Sequence, residues 1–340
     1  KVVKVKLNRD TFVLFIKKSL KFNAIQARYQ NQSGILAKKV TFKLKKGTFT
    51  FQKGTRLGFI PTSGTLYFGI LSKDRKVKEG KNIFLLKEKA PIFFSNYETL
   101  MGGTLLKHQV FQVGKYKVKF RKNTLVFLSV FGEKIEQGVL SGNQEFQIGR
   151  FKVKFLDQSI LYFSRYLTIS RGVLAKKMKF QLRNHDIIIG RNNKIGFNQK
   201  GELSFFEPEK DSCYRIGKNK ICFAKNKLVS INHRWNDFSS GTLAKRQIMK
   251  FGKFKAVLKK NSQISFHKNG ALRSGYLAKN QRFKIGKNKV FLKKGTEIYS
   301  YTGREIKKGF LARNQRLKVK NRKYPFKKGT KILFHLESAQ

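Results

Sequence analysis

The sequence predicts an all-β repeat protein of about ten 34-residue repeats, each about four short antiparallel strands, coiled into a β-solenoid or rolled β-ribbon. Three observations predict it: a fixed internal period, two-residue alternation on both sides of glycine-containing turns, and no 3.6-residue period anywhere.

The period is carried by a G-x-L element at Gly34, Gly69, Gly103, Gly138, Gly172, Gly241, Gly275 and Gly309. The intervals are 35, 34, 35, 34, 69, 34 and 34, so the long one spans two periods. The copy without its glycine starts near Phe206, where "FEPEKDSCYRIGKNKICF" keeps the later repeat positions. Residues 1–33 align as a repeat truncated at its start. With no Ser/Gly/Pro-rich linker to interrupt the period, one continuous repeat domain over 1–340 is expected.

Within each repeat, numbered from its glycine as position 1, the elements follow in order. Apolar residues stand mainly at positions 9 and 11, then 16 and 18, as in Phe111, Val113, Val118 and Phe120. Between them, position 12 is Gly at Gly80, Gly114, Gly149, Gly217, Gly252 and Gly286. Alternation on both sides of a two-residue Gly-x loop is the mark of a tight β-hairpin. A second turn follows at positions 19–22, as in "KKGT" at 293–296 and 327–330. Apolar residues return at positions 24 and 26, for example Ile264 and Phe266, before a third turn such as Asn269–Gly270. The last strand runs through Leu272 into the next Gly275 and Leu277. The repeat at 206–240 is the irregular one, with Glu202, Glu207, Glu209 and Asp211 crowded beside Pro208. That cluster reads as a drifted repeat with a surface loop, or as a hinge or acidic patch that docks on a basic face of another copy.

The hairpin alternation sorts side chains onto two faces. Positions 9, 11, 16 and 18 are apolar, whereas 8, 10, 15 and 17 are rich in lysine. A sheet with one wet cationic face does not stack on both sides as propeller blades do, so the apolar side is expected to close inward. A ten-bladed propeller and a porin-like barrel are the other arrangements. The barrel needs strands of about 9–11 residues, longer than the five to seven that most spacings here allow. If the four strands of each repeat lie in one flat meander, the lysine rows recur about every 19 Å.

The line "GTLA…KKGT.I.F…G.L", present in Gly241–Ala244 and Lys293–Ile298, resembles a class of bacterial β-repeat proteins without an assigned activity. These are abundant in spirochaetes such as Leptospira and are distantly similar to MORN-type hairpin repeats. The resemblance covers nearly the whole chain and implies fold rather than activity.

Composition narrows the partner. Lys and Arg number 76 against 18 Asp and Glu, a formal charge of +58, yet 40% of residues are hydrophobic and 33 are Phe. That apolar content excludes a disordered basic tail. The charge favours an acidic partner that relieves self-repulsion. Two-residue hairpin loops place position 10 opposite position 15, which gives Arg215–Lys220, Lys250–Lys255, Lys284–Lys289 and Lys318–Lys323 in four consecutive repeats. Like charges directly opposite destabilise a sheet. Either Lys-rich drift filled a solvated face, or an extended polyanion lies along it. The candidate polyanion-binding set is Lys117, Lys119, Lys152, Lys154, Arg215, Lys220, Lys250, Lys255, Lys284, Lys289, Lys318 and Lys323. Candidate partners are an envelope polymer, phosphorylated lipopolysaccharide, an acidic protein filament, and nucleic acid without sequence-specific readout. The alternative function is a self-assembling fibre or filament subunit, joined end to end through open sheet edges.

Enzymatic chemistry is not indicated, and no cofactor is expected. His108, His185, His233, His267 and His335 fall in different repeats, and no HExxH, CxxC, GxSxG or Walker-type loop occurs. "GRNNKIG" and "GKNK" precede strands rather than helices, so they lack the helix-terminus mechanism of phosphate loops. Trp235 is the lone tryptophan, read as core or rim. No run of 18 or more apolar residues predicts a transmembrane helix. Counting outward from the Gly217–Lys218 turn puts Cys213 opposite Cys222 on a non-hydrogen-bonded pair, on the lysine face and open to oxidant, where a disulfide is feasible. Such a bond implies an oxidising setting. A chain beginning at Lys1 also fits an exported, processed bacterial protein of the envelope, periplasm or exterior, and equally a trimmed chain.

Overall fold

The computed structural model describes residues 3–7, 11–15, 33–44, 47–60, 65–182, 185–234, 237–251, 254–301, 306–319 and 322–334. Every named element among them is a strand of three to six residues, and every pairing is antiparallel. Alternation explains the strands. The burial pattern of Gln109–Val113, Gln144–Ile148, Met178–Leu182, Ser212–Ile216 and Gln281–Ile285 is the same, inward at positions 9 and 11 and outward at 8 and 10.

Each repeat divides its four strands between two layers. Positions 7–11 and 14–18 pair only with each other, as Gln109–Val113 with Tyr116–Phe120 in the register Val113↔Tyr116. Gly114 opens that turn at φ +55°, and the residue after it keeps φ negative, which is a type II′ turn. The other two strands, here Leu125–Leu128 and Ile135–Val139, join a long meander. The four strands of a repeat therefore do not form one blade or one flat ribbon. Each repeat advances the meander by two strands, about 10 Å at ordinary strand spacing, not the 19 Å of a four-strand advance.

The physical reason lies in the core. Hairpin side chains pack onto the meander strand of the following repeat: Phe49 on Phe94 (ring centroids 4.9 Å), Phe120 on Phe163 (6.4 Å) and Phe223 on Phe266 (6.4 Å). One repeat cannot cover its own apolar face, so stability is shared with its neighbour. The junction is also made by backbone. Position 18 bridges to position 3 of the next repeat, as Phe120↔Leu140 and Leu292↔Leu311. Flanking bonds run from Lys293 N–H to the Phe310 carbonyl and from Ala312 N–H to the Phe291 carbonyl, both 2.8 Å.

That bridge explains the repeat glycine. A β-carbon on Gly69 would stand 2.4 Å from the Phe51 ring, on Gly241 2.6 Å from Phe223, and on Gly309 2.7 Å from Leu292. At Phe206 the glycine is missing. Its buried ring joins Tyr214 and Phe238, each at 6.5 Å, and position 18 of the repeat before is Ile189 rather than Phe or Leu.

Two compact bodies divide the chain, Lys1–Ala175 with Gln199–Gly201, and Lys176–Asn198 with Glu202–Gln340. The hairpin-plus-two-strands pattern runs through both. In the first, the meander runs Ser33–Ile35, Arg56–Phe59, Leu66–Ile70, Pro91–Phe94, Leu100–Thr104, Leu125–Leu128, Ile135–Val139, Ile160–Phe163, Ile169–Val173. In the second it runs Lys194–Phe197, Leu203–Phe206, Val229–Asn232, Asp237–Thr242, Gln263–Phe266, Leu272–Tyr276, Glu297–Ser300, Ile306–Phe310, Lys331–Leu333. Among the described residues, Ser33–Ile35 pairs only with Arg56–Phe59, and Lys331–Leu333 only with Ile306–Phe310. No helix among the described residues is long and apolar enough to cross a membrane.

Candidate functional site

The outward face of the hairpins in the second body gathers the cations. Registers there are Arg215↔Lys220, Lys250↔Lys255, Lys284↔Lys289 and Lys318↔Lys323, four like-charged pairs in successive hairpins. Seven of these residues are exposed and Lys318 is half-buried. Among the described residues, none of the eight forms an ion pair.

Side-chain amides set the hairpins beside one another. The Asn219 amide donates to the Lys250 carbonyl (3.0 Å) and accepts from the Lys250 N–H (2.8 Å). Asn288 does the same to Lys318, at 2.9 and 2.7 Å. Gln281 accepts from Val257 N–H at 3.0 Å and donates to the Lys255 carbonyl. Three amides thus tie together the four hairpins that carry the charged pairs, and they hold the backbones of the lysines themselves. The sequence signals were "NQ" at positions 6–7 and Asn at position 14, which strand alternation does not single out.

In the first body the predicted cations are differently placed. Lys117 faces Gln112, Lys119 faces Val110, Lys152 faces Gln147 and Lys154 faces Glu145. Lys152 also pairs with Glu145 at 3.1 Å. The structure brings none of the four into a like-charged pair. Arg282 and Arg316, exposed at position 8 on the same face as the lysine pairs, add two cations that the lysine pattern alone does not single out, although a repeated "NQR" marks them in the sequence.

Cys213 and Cys222 face each other across their hairpin, Cα atoms 3.9 Å apart and sulfurs bonded. Only Cys213 is exposed. The expectation that both lie open is corrected for Cys222, which is 2% exposed. Its N–H donates to the Gln247 amide oxygen (3.2 Å), and it packs with Ala224 and Ala244.

Several other polar residues serve the scaffold. Position 6 accepts the N–H of position 20: Asp211 from Lys225, Asn280 from Lys294, Asn314 from Lys328. In the same place His108 accepts Lys122 N–H through Nδ1 and contacts the Ser141 hydroxyl. His233 contacts Ser204, His267 the Ser300 carbonyl, and His185 the rings of Tyr214 and Phe238. His335 and Trp235 lie outside the described residues. The acidic cluster is used locally, Glu202 with Asn198, Glu207 with Lys194 and Glu209 with Lys177. Burial pushes the Tyr214 phenol above its ordinary pKa, opposed by a hydrogen bond with Ser212, and burial likewise raises Tyr116. Among the described residues no His, Cys, Asp and Glu gather as a metal-binding group.

Comparison with protein-family models, with curated proteins and with solved structures finds no match.

Proposed function

We propose that the protein is a non-enzymatic repeat scaffold whose lysine face binds an extended polyanion or an acidic protein surface, centred on the four hairpins of the second body. One observation carries the reading. Four successive cross-strand pairs are like-charged, seven of their eight residues are exposed, and among the described residues none has a carboxylate partner, an arrangement that lowers sheet stability by a few tenths of a kcal/mol per pair after screening. An anionic chain crossing the hairpins reverses that repulsion at each one. A repeat of about 10 Å matches a polymer with closely spaced charges.

The exported bacterial setting and the coiled or rolled ribbon belong to the same proposal. The bonded cysteine pair supports export, since such bonds persist in oxidising compartments. The seating of each hairpin on the following repeat supports the ribbon, which small-angle scattering tests.

Salt-dependent retention on immobilised heparin is the direct test of the face. Retention of the native protein should fall steeply with salt as counter-ions are released. The variant Lys250→Glu/Lys284→Glu/Lys318→Glu should elute much earlier with an unchanged circular dichroism spectrum. Equal elution of variant and parent overturns the assignment.

A further inference from the structure

In the first body the third turn of three successive repeats raises an aromatic ring at the same position, Tyr97, Phe131 and Tyr166. All three are exposed, Phe131 by 66%. The row ends there: the corresponding residue is Lys200, still in the first body, and Arg234 and Asn269 in the second. Tyr97 and Phe131 stack on each other at 5.5 Å. Tyr166 is steadied by Arg165, whose guanidinium lies 4.8 Å over its ring and bonds its hydroxyl at 2.8 Å.

These turns are held from below. Ser95 and Ser164 accept the N–H of Tyr97 and Tyr166 (3.1 and 3.2 Å), which aims each ring outward. The Thr99 hydroxyl donates to the Val130 carbonyl at 2.9 Å and locks the first turn to the second. Beneath both lies Glu79, fully buried at a hairpin position occupied elsewhere by Val113, Ile148, Ile216 or Ile285. It accepts Leu100 N–H at 3.3 Å, and its other oxygen would stand 3.1 Å from a β-carbon on Gly132. A carboxylate in a core position departs from the repeat's own rule, and such departures gather at functional sites.

Between the second and third turns is a cavity of about 580 Å³, lined by Val130, Phe131, Glu133, Lys134, Glu136 and Arg165 among others. In a chain with 76 basic and 18 acidic residues, this cavity carries two carboxylates against two cations. A polyanion gains little there. A neutral polyhydroxylated chain with flat apolar ring faces suits it: rings cover the C–H faces, while carboxylates and guanidinium bond hydroxyls.

We propose that the aromatic row of Tyr97, Phe131 and Tyr166, with the cavity beside Glu133, Glu136 and Arg165, is a separate binding site for a neutral glycan chain. The site is independent of the lysine face.

The test is retention of the full chain on immobilised neutral polysaccharides (a dextran, a β-glucan and a mannan) in high salt, which suppresses binding through the lysines. Retention on at least one is expected, with Phe131→Ala and Tyr166→Ala each weakening it about tenfold, some 1.4 kcal/mol. Both rings are exposed, so folding is unaffected, which circular dichroism checks. The triple lysine variant should bind the glycan as the parent does. No retention on any of the three, or retention unchanged in the double alanine variant, overturns the proposal. If single-stranded nucleic acid is retained and lost with Phe131→Ala, the occupant is a base-stacking polymer and the glycan assignment fails.

Discussion

The ring of Phe120 lies against the α-carbon of Gly138, so that a β-carbon at 138 would stand 2.8 Å from two ring carbons. Phe120 is fully buried and bridges to Leu140, which leaves the ring no room to retreat. Gly138→Ala is therefore an overpacking substitution, with an expected loss of about 1–3 kcal/mol. Denaturant unfolding measures it, and a variant as stable as the parent would show that the hairpin seats more loosely on the next repeat.

Asn288→Ala removes both bonds to the Lys318 backbone. The expected cost is about 1–2 kcal/mol, since the half-buried partners lose their hydrogen bonds. Hydrogen exchange at the Lys318 amide should accelerate. Asn288→Asp keeps the acceptor for that N–H but offers no donor to the carbonyl, so its effect should fall between parent and alanine.

Lys284→Glu sets a carboxylate opposite Lys289. Repulsion becomes attraction, and stability should rise by about 0.2–1 kcal/mol, while heparin retention falls. Opposite signs in one variant separate a binding role from a folding role. A variant that loses both has lost structure instead.

Cys213 and Cys222 close a short loop, so reduction should cost about 2–3 kcal/mol at most. Thiol titration of the unreduced protein is expected to find no free thiol. Two free thiols would remove the bond and the main support for export.

Asp157 is held below the ordinary carboxylate range, chiefly by the Gly142 N–H at 2.6 Å, with burial opposing and Gln158 and Arg121 adding. The folded state favours the ionised form. Its contribution is therefore complete above about pH 4, the unfolded range, and disappears as pH falls through the lower folded value. Asp157→Asn should flatten the acid limb of the stability–pH curve, and an unchanged limb would assign that slope to other groups.

How much of this was legible follows from what local chemistry decides. The Gly217–Lys218 turn sets hairpin register by itself, so Cys213↔Cys222 and Arg215↔Lys220 were countable from the sequence. The division into hairpins and meander was not. Val118 and Val126 alternate in the same way, although one lies in a hairpin and the other in the long sheet. What separates them is the edge: the hairpin edge is occupied by amides such as Asn288 and Gln281, whose partners are 24 to 30 residues away. Burial of Cys222 under Gln247 and the outward aim of Phe131 depend on the same distant neighbours. The cationic pairs were thus readable, while the first-body lysines shared out by Glu145 and the aromatic row were not.

Besides the packing of hairpin rings on the next repeat, the junction is made by backbone, position 18 to the next position 3, and by glutamine at position 7. None of these depends on which residues occupy the outward positions. Gain or loss of one whole period therefore rejoins equivalent surfaces, whereas gain or loss of part of one breaks the seam. The reach of the charged face is in this sense digital: it lengthens or shortens by one hairpin and one cationic pair at a time, and the outward residues of each hairpin are free to diverge without reference to the fold beneath them.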